Sequence, residues 1–220
     1  VVGITGSFGK TTTREMVSSV LSTQHDVFQS KKNFNNHIGL PLCLFELQAD
    51  HSVAVLELGA SAVGEIASLC EIALPNTAII TGIGRAHCGA FGGIEQTVRA
   101  KGELAAALAS DGLLFLPSDD PYADQLAQRA CCSIKRVGTG LHDDVRATDV
   151  RFEFGELSFS VHGHRYAVHV AGQHFLRNAL FAVAIGLEHG LHPTDIAFGL
   201  SQFAAVAGRC EVVQLGALTV

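Results

Sequence analysis

Positive charge is scarce in this chain: 15 lysines and arginines stand against 21 acidic residues, a formal net charge of −6. That balance argues against the broad basic footprint that nucleic-acid binding requires, so no nucleic-acid partner is expected. Long apolar runs are missing too. None reaches the length of a membrane span, and the first residues read as a strand running into a loop rather than as a signal peptide. The expectation is a soluble, cytoplasmic protein. The cysteines Cys43, Cys70, Cys88, Cys131, Cys132 and Cys210 never stand at C-x-x-C spacing, and adjacent Cys131 and Cys132 would need other ligands to hold a structural zinc. They read as buried, reduced thiols. Internal repeats and low-complexity segments are also lacking. What is present, 220 residues of which 48% are hydrophobic, suffices for a substantial core in one large domain or two small ones.

Up to about residue 140, apolar runs of strand length alternate with amphipathic stretches of helix length. The strands are expected at 1–5, 27–29, 53–58, 77–81, 113–116 and 134–137, and the helices at about 10–23, 39–47, 63–72, 94–109 and 121–130. Such alternation predicts an α/β fold, a mostly parallel central sheet flanked by helices, with ligands gathering at the carboxyl ends of the strands. The pattern then changes. Residues 146–171 alternate with period two through Phe152, Phe154, Leu157, Phe159, Val161, Tyr166, Val168 and Val170. Breaks at Gly155-Glu156 and His162-Gly163-His164 divide them into a small antiparallel β subdomain. His162 and His164 could be taken for a metal pair, but solvated turn residues are the preferred reading. After Gly172, residues 175–187 are apolar on nearly every face and predict a buried helix. A second helix, 193–203, opens with Pro193-Thr194-Asp195, and residues 210–220 read as two short strands broken at Gly216.

The segment with the clearest chemistry is the first. Val1-Val2-Gly3-Ile4-Thr5-Gly6-Ser7-Phe8-Gly9-Lys10-Thr11-Thr12-Thr13 joins an apolar strand, a glycine turn and a helix start. Glycines let successive backbone N–H groups converge on one anion, and the helix dipole adds partial positive charge. Lys10 would meet the outer phosphates of a nucleotide, and the Thr11 hydroxyl a magnesium ion. The spacing is a variant: in G-x-x-x-x-G-K-[ST] the first glycine would fall on Ile4. The alternative is a glycine turn that binds nothing.

Further candidates stand at strand ends. Glu57 closes the run Val53-Ala54-Val55-Leu56, where a carboxylate meets a nucleotide-bound metal directly or through water. His87, after Gly82-Ile83-Gly84-Arg85-Ala86, could give a neutral imidazole to a metal or bond within its loop. Lys101, near Arg99 and Glu103, reads on pattern alone as part of a solvated face. Asn33, Asn35 and Asn36 could cap the next helix, or read substrate amides and carboxylates. Asn178, in an apolar helix, needs hydrogen-bond partners. Arg209 could reach a phosphate or pair with an acid.

Six blocks now line up: Gly3–Thr12, Asn33–Leu42, Glu57–Ser61 with Gly64-Glu65-Ile66, Ala86-His87, Ala100–Glu103, and Gly172-Gln173-His174 with Asn178-Ala179. In this order they resemble the Mur ligases, and most resemble the members that add D-alanyl-D-alanine to UDP-N-acetylmuramoyl-tripeptide. The likeness runs from the first residue to Arg209. It implies an ATP-dependent amide ligase in which a substrate carboxylate takes the γ-phosphoryl group and an amine attacks the acyl phosphate. By the resemblance, Gly6, Ser7, Gly9, Lys10, Thr11, Thr12, Asn178 and Arg209 bind the nucleotide, and Asn35 and Asn36 bind substrate. Lys10, His87 and Lys101 are the catalytic residues. Thr11, Glu57, His87 and Lys101 hold Mg2+, with Lys101 carbamylated, which displaces the solvated reading of that lysine.

The chain departs from the family in one place. The usual His-Asn-x-x-Asn is here His174-Phe175-Leu176-Arg177-Asn178, an aromatic ring in place of an amide near the nucleotide. The chain also looks like a central domain alone, with an α/β core at 1–140 and 172–209 and the β subdomain at 146–171. The UDP-binding and closing domains of the family are not within it, so the expectation is an incomplete, monomeric catalyst. Within the ligases, cyanophycin or folylpolyglutamate-type modules are the alternative. Outside them it is a nucleotide-binding module without turnover.

Overall fold

The computed structural model describes residues 1–31, 34–84 and 91–204, together with the backbone of 214–215 and 218–219. Seven strands form its main sheet: β1 (Val2–Thr5), β2 (Val27–Gln29), β3 (Val53–Glu57), β4 (Thr77–Ile80), β5 (Leu113–Pro117), β6 (Ser133–Gly138) and β7 (Val145–Arg146). Their order is β2-β3-β1-β4-β5-β6-β7, and every neighbouring pair is parallel. A parallel sheet covered on both faces favours continuous apolar strands, which is what Leu113-Leu114-Phe115-Leu116 supplies.

Alternation along those strands divides the core in two. Val2, Ile4, Val55, Ile79 and Phe115 face one side, packed with α1 (Lys10–Leu21), α7 (Leu176–Glu188) and α8 (Pro193–Ser201). Leu56, Ala78, Ile80, Leu114 and Leu116 face the other, packed with α2 (Gly39–Leu44), α3 (Glu65–Ala73), α4 (Ile94–Lys101), α5 (Glu103–Ala107) and α6 (Ala123–Ala127). Because β1 is central, both its neighbours deliver their carboxyl ends beside the loop that follows it.

The antiparallel meander is β8 (Thr148–Glu153), β9 (Glu156–Val161) and β10 (His164–His169). Both hairpin turns hold two residues at positive φ, Phe154 and Gly155 at 51° and 79°, His162 and Gly163 at 50° and 80°, the twist that suits tight hairpins. His162 and His164 are exposed there, as the turn reading required. Leu157, Phe159, Val161, Tyr166 and Val168 do not build a core of their own but join the one under α1 and α7.

Three expectations are corrected. The helix read as 94–109 is two helices, because Gly102 at φ −68°, ψ −11° tightens the chain between α4 and α5. The helix read as 121–130 is confined to Ala123–Ala127. Cys43 and Cys70 are buried and free, with burial pushing the Cys70 thiol up to about 12. Cys131 is exposed and Cys132 half-buried, since they occupy the bend before β6 rather than a packed element. Cys88 and Cys210 lie outside the described residues. Near the end, Gln214–Leu215 and Leu218–Thr219 pair antiparallel. Among the described residues no helix is long and apolar enough to cross a membrane.

Candidate functional site

The loop after β1 is held by the end of β4. Ser7 N–H donates to Gly82 O at 2.9 Å, and Thr81 Oγ1 donates to Phe8 O at 2.5 Å. Gly6, at φ 145°, leaves no room for a side chain: a Cβ there would stand 2.0 Å from Thr81 Oγ1. Gly9, at φ 76°, turns the chain into α1, whose first turn carries no acidic residue to offset its positive end. Lys10 Nζ donates to Gly6 O at 2.9 Å, folding the amine over the loop. The Ser7 hydroxyl is buried with no partner among the described residues. A glycine-lined helix start, an amine and an orphaned hydroxyl fit a phosphate group.

One turn into α1, Thr11 Oγ1 donates to Glu57 Oε2 at 2.7 Å. Glu57 is only 3% exposed. Its Oε1 accepts from Asn35 Nδ2 at 2.9 Å, and Arg14 Nη1 stands 3.7 Å from Oε2 while also pairing with Glu15. A buried carboxylate tolerates its charge only when surrounded by donors of this kind. The pairing of a hydroxyl with a strand-end carboxylate beside a phosphate loop is a donor set suited to Mg2+.

Beyond the loop opens a cleft of about 380 Å³ lined by Gly6, Ser7, Lys10, Asn35, Asn36, His37, Ala60, Ser61, Glu65, Phe91 and Lys101. Lys101 is 3% exposed, with Nζ 5.2 Å from the Phe91 ring centroid and, among the described residues, a long 3.4 Å bond to Ala60 O. Burial, then the facing charge of Lys10, pushes its amine down to about 8. The solvated-face reading of Lys101 is therefore wrong: the last turn of α4 turns it inward. Glu103, from the same sequence cluster, instead accepts from Gly64 and Ala67 N–H at 2.6 and 3.0 Å and caps α3.

On the other side of the loop lies a second cleft, about 700 Å³, lined by Phe8, Gly9, Thr12, Thr81, Asp119, Val137 to Thr139, and Gln173 to Asn178. Asn178, 8% exposed, uses its amide N–H groups on Gly9 O at 3.1 Å and Thr13 Oγ1 at 2.8 Å. Its partners are thus the loop itself. Phe175, the aromatic departure, is 6% exposed and belongs to the apolar core under α7.

The sequence candidates Gly6, Ser7, Gly9, Lys10, Thr11, Thr12, Glu57, Asn35, Asn36, Lys101 and Asn178 thus gather around one loop. Asn36 spends its Oδ1 on Ile38 and Gly39 N–H, at 3.1 and 2.8 Å, at the start of α2. His87, Arg209 and Asn33 lie outside the described residues. Sequence reasoning missed Arg14, Thr81, Asp120, whose Oδ2 accepts from Ile83 N–H at 2.6 Å, and Arg177. Arg14 had a signal, since it stands three residues after Thr11 and so shares its helix face.

With this geometry established, the comparisons are specific. The Mur ligase middle domain matches residues 4–186, and the chain belongs to that family. It is 40% identical over 216 residues to the UDP-N-acetylmuramoyl-tripeptide–D-alanyl-D-alanine ligase of Bacillus subtilis, covering 97% of this chain and 47% of that protein. The enzyme of the same name from Escherichia coli is 31% identical, with 98% and 49% covered. Among solved structures, MurF from Acinetobacter baumannii superposes with a TM-score of 0.92 at 34% identity, covering 99% of this chain and 49% of that one. MurF ligase from Thermotoga maritima in complex with ADP gives 0.84 at 28%, covering 97% and 50%. The chain spans about half the length of these relatives.

Proposed function

We propose that this domain binds ATP with Mg2+ and works within a longer ligase that joins D-alanyl-D-alanine to UDP-N-acetylmuramoyl-tripeptide. The observation that carries the reading is the 2.7 Å Thr11–Glu57 hydrogen bond beside Lys10, facing the buried Lys101 across the loop. A relative solved with ADP supports the nucleotide half, and the names of the relatives support the substrates. When bound, ATP supplies the γ-phosphoryl group that activates a carboxylate, and Mg2+ offsets the repulsion between the two anions.

Lys10 leaves Gly6 O to meet the outer phosphates, with backbone N–H groups at the start of α1 beside them. Thr11 and Glu57 would be the residues to hold Mg2+, which would neutralise phosphate charge there. Lys101, with part of its population neutral near pH 8, attacks CO2: the N–C bond forms, one C=O π bond opens to place its pair on oxygen, the amine proton leaves to solvent, and the resulting carbamate would offer an anionic ligand to Mg2+. By the family resemblance His87 would join the metal ligands and Arg209 the nucleotide contacts, while Asn35 and Asn36 would address the substrate side.

Calorimetric titration of the wild-type chain and Lys10→Ala with ATP–Mg2+ tests the nucleotide half. Loss of a charge-assisted phosphate contact weakens binding by about 1.5–3 kcal/mol, and equal affinities overturn the assignment. The ligase half is tested on the longer protein containing this domain, given ATP, Mg2+ and both substrates. Absence of pentapeptide and ADP overturns it without touching the nucleotide half.

A further inference from the structure

Arg177 takes no part in the motif that the sequence carries, yet it sits at the join of four elements. Its Nη2 donates to Asp119 Oδ2 at 2.6 Å and its Nη1 to Thr81 O at 3.3 Å, while its Cζ stands 5.6 Å from the centroid of the Phe8 ring. Phe8 is the middle residue of the phosphate loop. Its ring also packs on bare backbone: a Cβ at Gly82 would stand 2.9 Å from Phe8 Cζ and 2.7 Å from Arg177 Nη1, and one at Gly84 3.0 Å from Phe8 Cε1. The half-exposed ring thus rests on glycine backbone and beside a guanidinium, and it carries the loop with it. The following residue, Asn178, grips the same loop through Gly9 O.

We infer that Arg177 is a positioning residue that fixes the phosphate loop through the Phe8 ring. The inference rests on the nucleotide reading above. A planar guanidinium can lie over an aromatic face while two of its N–H groups stay in hydrogen bonds, which an ammonium cannot reproduce. The side chain is mostly covered, whereas its partner Asp119 is 67% exposed and remains in solvent. The arginine thus ties the first turn of α7 to the ends of β4 and β5 and passes that rigidity to Phe8, whose carbonyl is already bonded to Thr81. A preset loop spends less binding energy on ordering itself around phosphate. Adenosine, which carries no phosphate for the loop N–H groups to meet, should gain nothing from it.

The test is titration of three probes, ATP–Mg2+, tripolyphosphate–Mg2+ and adenosine, into wild type, Arg177→Ala, Arg177→Lys, Phe8→Leu and the Phe8→Leu/Arg177→Ala double variant. Arg177→Ala should weaken ATP and tripolyphosphate by about three- to tenfold and leave adenosine unchanged. Arg177→Lys should recover little of the loss. In the Phe8→Leu background the Arg177→Ala change should have no further effect, because the ring through which it acts is gone. Additive losses would mean that Arg177 touches phosphate directly, and an equal loss for adenosine would mean a base contact; either overturns the inference. Should Arg177→Ala fail to fold, Asp119→Ala frees one prong of the fork and should give the same phosphate-only loss at smaller size; an unchanged affinity there overturns it too. Wild type that binds neither ATP nor tripolyphosphate overturns both this inference and the nucleotide reading, whereas tight wild-type binding with an indifferent Arg177→Ala overturns this one alone.

Discussion

On one side of the phosphate loop the wall is made of charges taken out of water, Lys101 and, behind the wall, Glu57 and Arg14, each 3% exposed or less. On the other side the wall is made of rings and backbone, Phe8, Phe175 and the 137–139 stretch, with Arg177 and Asp119 at its edge. The first cleft is therefore costly to assemble and sensitive to every member of its network. The second can lose a polar group to solvent at little cost. A site that must neutralise phosphate and carboxylate together needs the first kind of wall, and one that must accept a flat, mostly apolar group needs the second.

The sharpest way to break this contrast is Glu57→Ala. It strips the acceptor from Thr11 and Asn35 and takes a carboxylate from the buried guanidinium of Arg14. Removing one member of a buried ionic network costs about 3–5 kcal/mol. Urea denaturation should show a midpoint shift of that size, against a shift within about 0.5 kcal/mol for Asp119→Asn at the exposed edge of the second cleft. Comparable shifts would mean that the two walls are not differently built.

The next effect is a dependence on pH. The Lys101 amine titrates at about 8 in the folded protein and at its ordinary 10.5 when unfolded, burial being the main cause and the facing Lys10 the second. Between those values the unfolded chain binds more protons, so stability rises as pH rises from about 8 to about 10.5 and the gain is absent below that window. The lysine's share is on the order of 3 kcal/mol. It is read as the difference between wild type and Lys101→Met across pH 7 to 10.5, which cancels the other titrating groups. Met should be the more stable at pH 7, and the two curves should converge at the alkaline end. Parallel curves would place the amine in solvent.

How much of this was legible depended on whether a residue's role is local. The strand–loop–helix start at Val2–Leu21 and the strand-end Glu57 carry their meaning within a few positions, so the first cleft could be outlined from sequence. Lys101 could not be placed by periodicity, because α4 is too short and is broken at Gly102; only its place in a recognised block pointed inward. The second cleft was illegible because its walls come from residues 8, 9, 12, 81, 119, 137–139, 173–178 and 180, which only the folded sheet brings together. Phe175 shows the limit most plainly. Judged by position it replaced an amide at the nucleotide; in the fold it both joins the core under α7 and lines the second cleft, which position alone could not tell. The meander was legible as strands, but not as a contributor to the core shared with α1, since alternation tells which face is apolar and not what covers it.

The smallest effect concerns Asn36, which stands in the wall of the first cleft but holds no buried charge. Its Oδ1 accepts from Ile38 and Gly39 N–H and its backbone carbonyl from Leu40 N–H, so the side chain shapes the start of α2. Helix α2 runs only from Gly39 to Leu44 and has too few internal hydrogen bonds to define its own beginning. Asn36→Ala should cost about 1 kcal/mol in urea denaturation, the usual loss for such an acceptor, and Asn36→Asp should restore most of it, because a carboxylate accepts from the same two N–H groups. The amide nitrogen, which neither replacement retains, is then separated from the framework role. If Asn36→Asp is as stable as wild type and the longer protein carrying it still loses affinity for the tripeptide substrate, the side chain belongs to the charged wall as a ligand. If stability and affinity recover together, Asn36 is framework, and the first cleft owes its character to Lys10, Glu57 and Lys101.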